Sequence, residues 1–517
     1  MTQDRAAHVA VVVQHALCAQ APSRHAHNDL AMPTPVDQAE TANKWVVLAL
    51  AGTATFMTTL DSSIVNIGLP SIAHAFGVPL AGGIEWVVIG YLVVIAAVLL
   101  TFGRLADVLG RRPLVLGGLA IFTIGSAICG AAPTLGVLIA ARCFQGLGGA
   151  AIFAVNIAMI TRSFPAAERG RALGINTILV ALGVSTGPIV GGILTQALGW
   201  RWIFYVNVPI GAAAILAAWF LLTERHRPER PRFDPPGAAL FAIGLAALVV
   251  GLSFGQEWGW VSAGFVASML IAIGALAGAT WVERRVSAPV LDPKLLRDPV
   301  FLFANASLML SMLALFAVGF LLPFFFEELQ GYDTLRSGLL LTPFSLTIAV
   351  VAPISGVLAD RVGSRWLAPL GLAVACAGLV LLSGIGQATP VPYLVLALVV
   401  AGIGQGLFLS PNARALMAAA PADEQGVASG VLATARVVGQ SVSVAVAGAV
   451  FIGSGAAAAG AALQAGAKSV SATQAQALQL TFVGGIHDAF LVCAGLAAIG
   501  VVTALVQGRG DGAVVRP

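Results

Sequence analysis

Fourteen separate apolar runs, each long enough to cross about 30 Å of hydrocarbon with about 20 residues, occupy most of this 517-residue chain. Their approximate bounds are 45–68, 84–103, 114–132, 135–159, 171–194, 202–222, 237–254, 262–282, 301–326, 338–358, 367–386, 393–413, 427–452 and 487–507. In lipid every backbone polar group must be satisfied within the protein, which leaves helices or a closed barrel. Continuous apolar runs lack the in–out alternation of barrel strands, so the expected fold is all-α and integral to a membrane, with 14 transmembrane helices.

Composition narrows the function classes. Only 10% of residues are charged and 58% are hydrophobic, against about a quarter charged in soluble domains. The net charge of +4 is spread thinly between the runs, and no concentrated basic face exists for nucleic acid. Cys129, Cys143, Cys376 and Cys493 lie within apolar runs and Cys18 near the start. Their spacing fits neither a metal site nor a disulfide framework, and they read as small buried apolar residues. No Walker loop, catalytic triad or zinc pattern occurs, so no cofactor and no enzymatic activity are expected.

Lys and Arg set the orientation. With the N-terminus inside, the inner loops receive Arg104, Arg111 and Arg112, then Arg162, Arg169 and Arg171, and further clusters at 225–232, 284–297 and 361–365. The outer loops receive only Arg201, Arg336 and Lys468. This bias places both termini in the cytoplasm and requires an even number of spans. Residues 1–43 have no signal-peptide core; they read as a disordered cytoplasmic tail or as sequence upstream of a true start at Met32.

A repeat organises the rest. Gly103-Arg104-Leu105-Ala106-Asp107-Val108-Leu109-Gly110-Arg111-Arg112 returns at 356–365 with six of ten positions identical, 253 residues later. Gln145-Gly146-Leu147 is likewise echoed by Gln405-Gly406-Leu407. The separation exceeds what six helices need, so two extra helices are expected between two related halves. The expected divisions are a six-helix half at 44–222, linkers and two inserted helices at 223–300, a second six-helix half at 301–507 and a cytoplasmic tail at 508–517. Duplicated halves are how many carriers build a site at their interface. The stretch 453–486, rich in Ala, Ser and Gln, reads as a long outer loop.

Ionisable groups inside a span are functional candidates by default. Asp61 lies about 24 Å along the first run and Arg142 about 10 Å into the fourth, entered from the opposite side. They reach similar depth, in the outer part of the membrane, and either form a static ion pair or carry a proton. Asp107 and Arg111 are four apart and able to pair, while Arg104 and Arg112 face headgroups; a simple positive-inside anchor is the plainer reading. Gly183, Gly187 and Gly191 form a bare stripe beside Pro188 and Gly192, suited to close helix approach or to a sliding seam. Arg436 either meets an anionic group or snorkels toward the inner face. Asn66, Trp86, Tyr91, Gln145, Asn156, Asn176, Phe316 and Phe320 are the remaining candidates for a substrate cavity, and Glu327 and Glu328 read as solvated at the outer end of the ninth run.

Several of these segments resemble one family. The repeated hairpin is similar to the loop between helices 2 and 3 of the major facilitator superfamily. Leu60-Asp61-Ser62-Ser63-Ile64-Val65-Asn66-Ile67-Gly68-Leu69-Pro70 resembles the signature of its fourteen-helix drug:proton antiporters. Arg142-Cys143-Phe144-Gln145-Gly146-Leu147-Gly148-Gly149-Ala150 and Gly183-Val184-Ser185-Thr186-Gly187-Pro188-Ile189-Val190-Gly191-Gly192 resemble its helix 4 and antiporter motifs, and 200–209 its entry to helix 6.

The resemblance implies a major facilitator fold and proton-coupled export of small, largely apolar or amphiphilic compounds, or export of one dedicated metabolite. It further implies proton coupling at Asp61 and Arg142, and gating by Gly103, Arg104, Asp107, Gly110, Arg111 and Arg112. The expected partners are a small-molecule substrate, protons and the lipid bilayer of a bacterial inner membrane. The proton gradient would be the energy source, and the chain is expected to act as a monomer. The tenth run lacks the acidic residue found in some exporters of multivalent cations.

Overall fold

The computed structural model describes residues 43–78, 83–222, 234–259, 261–285, 295–420, 425–465 and 471–510. Among these residues fourteen helices are long and apolar enough to cross a membrane. They are α1 (Lys44–Phe76), α2 (Trp86–Leu109), α3 (Arg111–Ala131), α4 (Leu135–Ser163), α5 (Ala166–Leu198) and α6 (Trp202–Leu221), the last interrupted at Val206. Next come α7 (Pro235–Trp258), α8 (Ala263–Glu283), α9 (Pro299–Phe324, continued by a π-turn at Phe325–Leu329) and α10 (Thr334–Val362). The series ends with α11 (Ser364–Ser383), α12 (Val391–Ala419), α13 (Gln425–Gly453) and α14 (Ala472–Gly510).

Polar caps fix several helix starts by satisfying orphan N–H groups. The side chains of Asn43, Thr134, Ser262, Asp298 and Asp333 accept from Trp45, Val137, Phe265, Phe301 and Arg336 backbone N–H groups. The repeated hairpin has a backbone cause. Gly110 sits at φ 91°, ψ 160° and Gly363 at φ 86°, ψ 161°, each ending one helix and opening the next. Only glycine adopts that region without strain, which explains why both copies retain it. Gly110→Ala and Gly363→Ala should each cost about 1–3 kcal/mol of stability, read as a lower unfolding midpoint in detergent. An unchanged midpoint would remove backbone strain as the reason for the repeat.

Helices α1–α6 pack among themselves, as do α9–α14. The hairpin α7–α8 packs internally, and α7 lies against both α2 and α13. The two sets meet chiefly where α5 packs on α10, α2 on α13 and α1 on α9.

Two expectations change. The first helix runs past 68 to Phe76, through Pro70, and Asp61 lies near the middle of its 33 residues rather than toward one end. The stretch 453–486 is not a loop throughout. It contains a short helix, Ala456–Ala465, and the first turns of α14, which begins at Ala472. Ten residues are too few to cross the bilayer, so a criterion of membrane-length runs passes over this helix. Of the expected tails 1–43 and 508–517, residues 1–42 and 511–517 lie outside the described residues, as do 223–233 and 286–294 of the linkers, while α14 continues to Gly510, three residues into the expected C-terminal tail.

Candidate functional site

Five helices bring polar groups to one point inside the N-terminal set. Asp61 of α1 is 0% exposed and Arg142 of α4 is 1% exposed. The Arg142 guanidinium donates to Asp61 Oδ2 at 2.7 Å, to Gln145 Oε1 at 2.6 Å and, through Nε, to the Val87 carbonyl of α2 at 2.9 Å. Gln145 Nε2 donates to Asp61 Oδ1 at 3.0 Å and to Ser126 Oγ of α3 at 2.7 Å. Asn207, opening the second piece of α6, donates to the same Asp61 Oδ1 at 2.9 Å and to Ser126 Oγ at 3.2 Å.

Tyr91 of α2 lies under the guanidinium, with Cζ 4.2 Å from its ring centre. Its π face adds a further favourable contact to the cation. The carboxylate therefore accepts from three side chains, and the cation donates through Nη1 and Nε. A buried ion pair is tolerable only with such additional hydrogen bonds, because desolvation of each charge otherwise outweighs their attraction.

Asp61, Arg142, Gln145 and Tyr91 were legible as candidates in the sequence. Asn207 and Ser126 were not singled out as partners. Their signal was that of polar residues inside apolar runs, and the interruption of α6 at Val206 is what brings Asn207 into line.

The glycines of α5 abut α1 immediately beside this cluster. A Cβ at Gly183 would meet Thr59 and Phe56, at Gly187 Ser63 and Ile64, and at Gly191 Ile64 and Ile67. Ser63 Oγ donates to the Val184 carbonyl of α5 at 2.9 Å. On the opposite flank Gly192 touches Leu335 and Thr334, and Gly338 of α10 touches the Pro188 carbonyl. The stripe thus places α5 in backbone contact with both α1 and α10.

The hairpin at 103–112 is tied down within the first set. Arg111 donates to the Ala158 carbonyl of α4 at 3.0 Å, and Arg112 to the Trp219 carbonyl of α6 at 2.8 Å. Gly103 borders open space. The expected Asp107–Arg111 pairing lies outside the described side chains, since that of Asp107 is among those left undescribed.

The remaining cavity candidates scatter. Asn156 donates to the Ala51 carbonyl at 2.8 Å and to Thr55, and so joins α4 to α1. Trp86 stacks on Phe254 of α7 at 4.7 Å, and Phe254 on Trp258 at 4.6 Å, which directs that ring toward the hairpin α7–α8. Asn66 is buried opposite Gly319 of α9, and Asn176 is buried on α5. Phe320 meets Phe324 edge-on and, with Glu85, Gly448 and Phe451, borders a small cavity between α2, α9 and α13. Phe316 is half-buried against the core. Arg436 is half-buried in α13.

Glu327 and Glu328 are not solvated as expected. The π-turn folds them inward; the Glu328 side chain is 2% exposed and pairs with His74 at 3.1 Å, while Glu327 Oε1 is buried. Together with Ser71 and Thr334, 3.3 Å apart, they join the end of α1 to α9 and α10.

A bundle of fourteen apolar helices in two packed sets, with a buried charge network in one and a close seam between them, defines a multi-pass membrane carrier. Comparison with known proteins makes this specific. The Major Facilitator Superfamily model matches residues 51–444 and also 307–509. The chain is 36% identical to multidrug resistance protein Stp of Mycobacterium tuberculosis over 406 residues, covering 78% of this chain and 75% of that one. It is 35% identical to the cephamycin export protein CmcT of Amycolatopsis lactamdurans over 413 residues, covering 79% and 85% respectively. In fold it resembles a bacterial homolog of the human lysosomal transporter Spinster, with TM-score 0.64 at 16% identity, covering 91% of this chain and 98% of that one. The chain belongs to the Major Facilitator Superfamily. Its role is therefore transport of small molecules across a bacterial membrane.

Proposed function

We propose that this protein exports small, largely apolar or amphiphilic compounds in exchange for protons, by alternating access, with Asp61 as the proton carrier. The observation that carries the reading is a carboxylate buried at mid-helix and held by Arg142, Gln145 and Asn207. An arginine does not titrate in proteins, so a proton arriving at the pair goes to Asp61. Protonation removes the charge-assisted bond and leaves the Arg142 cation without its counter-charge, which favours a different placement of α1 against α4. The α5 stripe touches α1 within two residues of Asp61 and touches α10 across the seam. A shift of α1 is therefore passed to the second set of helices through backbone contacts.

In this reading residues 44–222 and 301–507 act as the two moving halves, 223–300 as the insert between them, and the hairpin 103–112 as a latch at their cytoplasmic face. Both termini are cytoplasmic, and a single chain suffices. The second reading is a dedicated exporter of one metabolite, supported by the likeness to the cephamycin export protein.

The test uses inverted membrane vesicles with a respiration-driven proton gradient, reported by a pH-sensitive dye. Compounds are added singly to vesicles carrying the unaltered protein or Asp61→Asn at matched expression. Collapse of the gradient by a compound only with the unaltered protein is the expected result. Breadth across the panel separates drug export from a dedicated substrate. An identical response from Asp61→Asn would defeat the assignment of proton coupling to Asp61.

A further inference from the structure

The charge in the first set of helices is balanced, whereas a charge in the second is not. Arg436 lies on α13 about 16 Å from the start of that helix at Gln425. It falls inside the apolar span Gly430–Gly453. Among the described residues its guanidinium has no hydrogen-bond or ion-pair partner, and its Nε is buried. Arg142, by contrast, is matched by Asp61. A guanidinium remains cationic in any environment, so a cation held inside a span without a counter-charge calls for an anion. It lies six residues, about 9 Å, into the apolar span that begins at Gly430.

The surroundings form a polar stripe. Arg436, Gln440 and Ser443 fall at i, i+4 and i+7 on one face of α13. Ser443 is fully buried and its Oγ also lacks a partner among the described residues. The packing of the neighbouring glycines orients the stripe. Gly430 approaches Leu100 of α2, while Gly439 abuts Met309 and Met312 of α9. At 100° per residue these two directions are about opposite, and the stripe lies on one flank between them, at the junction of the two helix sets. Arg436 is half-buried as a residue, and its Nε is enclosed.

We propose that Arg436, with Gln440 and Ser443, forms an anion-binding site that takes the carboxylate of an amphiphilic substrate. This rests on the transport reading above and specifies its substrate class: compounds with an apolar body and one negative group. The same chemistry would also accept an anionic lipid headgroup, which the experiment separates.

The test measures binding of pyrenebutyrate and its neutral alcohol, pyrenebutanol, by fluorescence anisotropy to the purified full chain in lipid nanodiscs. The unaltered protein should bind the carboxylate at least about tenfold more tightly than the alcohol, the scale of one charge-assisted contact. Arg436→Gln should erase that preference while leaving affinity for the alcohol unchanged, and Arg436→Lys should keep part of it. Size-exclusion profiles check that each variant is folded. Equal affinities in the unaltered protein, no binding of pyrenebutyrate, or a preference that survives Arg436→Gln would overturn the proposal. Nanodiscs of phosphatidylcholine and of phosphatidylglycerol are compared. Competition by phosphatidylglycerol that abolishes pyrenebutyrate binding and depends on Arg436 assigns the site to a lipid and overturns the substrate claim. Asp61→Asn should leave the preference intact. Loss of proton coupling in the vesicle assay with retained Arg436-dependent binding therefore marks failure of the proton-exchange reading alone.

Discussion

Arg142→Ala is expected to lower unfolding stability by about 3–5 kcal/mol and to abolish transport. The substitution removes the cation that Asp61, Gln145 and the Val87 carbonyl all contact, leaving a carboxylate that is 0% exposed without its counter-charge. Asn207 and Gln145 still donate to it, so the site keeps two of its three donors. Two hydrogen bonds from neutral amides offset only part of the cost of burying a full charge. The informative companion is Asp61→Asn with Arg142→Gln, which removes both charges while keeping polar atoms for Gln145, Asn207 and the Val87 carbonyl. That double variant should recover about half or more of the lost stability, because the penalty comes from the unpaired charge and not from the absent bond. Transport should not recover, since the proposed proton carrier Asp61 is gone. Unfolding in mixed micelles, followed by circular dichroism, reads the first quantity, and the vesicle assay the second. A single variant as stable as the unaltered protein would mean that the pair contributes little and that Asp61 is already neutral.

The second large effect is expected at the α5 seam. Gly187→Val would place three carbon atoms where Ser63 and the Ile64 backbone N–H already lie. The contact is with backbone as well as side chain, so rotamer changes alone cannot relieve it. Overpacking of this kind costs about 1–3 kcal/mol, and the relief available is separation of α5 from α1. That separation would break the Ser63 to Val184 hydrogen bond and shift the residues adjoining Asp61. Transport should fall by about 100-fold or more while substrate binding changes far less, since the seam positions moving parts and not the ligand. Gly274, which borders open space, supplies the control. Gly274→Val should leave transport near the unaltered rate, losing only the modest helix preference of a β-branched residue. Equal losses at the two positions would place the effect in helix propensity and remove the seam from the mechanism.

Much of the architecture is legible in the chain because lipid leaves few alternatives. Run length and the absence of alternation determine helices, and the Lys and Arg bias sets an even count. Both hairpin glycines are conspicuous in the sequence since no other residue serves at φ near 90°. The Ala-rich helix at 456–465 escapes because its ten residues are too few for a membrane-length run. Glu327 and Glu328 escape because a π-turn rotates them inward, and nothing local in Phe-Phe-Glu-Glu-Leu announces that turn.

At the candidate site the division is similar. Asp61 and Arg142 stand out alone, as charges in membrane-length runs whose expense demands a partner. That they meet, and that Gln145, Ser126, Asn207 and Tyr91 complete the shell, depends on the packing of α1, α2, α3, α4 and α6. Asn156 and Trp86 show the converse, for one is committed to an α4–α1 contact and the other to α7. A polar or aromatic residue in an apolar run has several possible neighbours, and only tertiary packing chooses among them. The sequence by itself determined the membrane helices, their repeat and the costly charges, because solvation energies and backbone sterics act residue by residue. The tertiary structure alone decided that the charge of Asp61 is balanced by Arg142 while that of Arg436 has no partner among the described residues, because pairing is a property of distance between helices far apart in the chain.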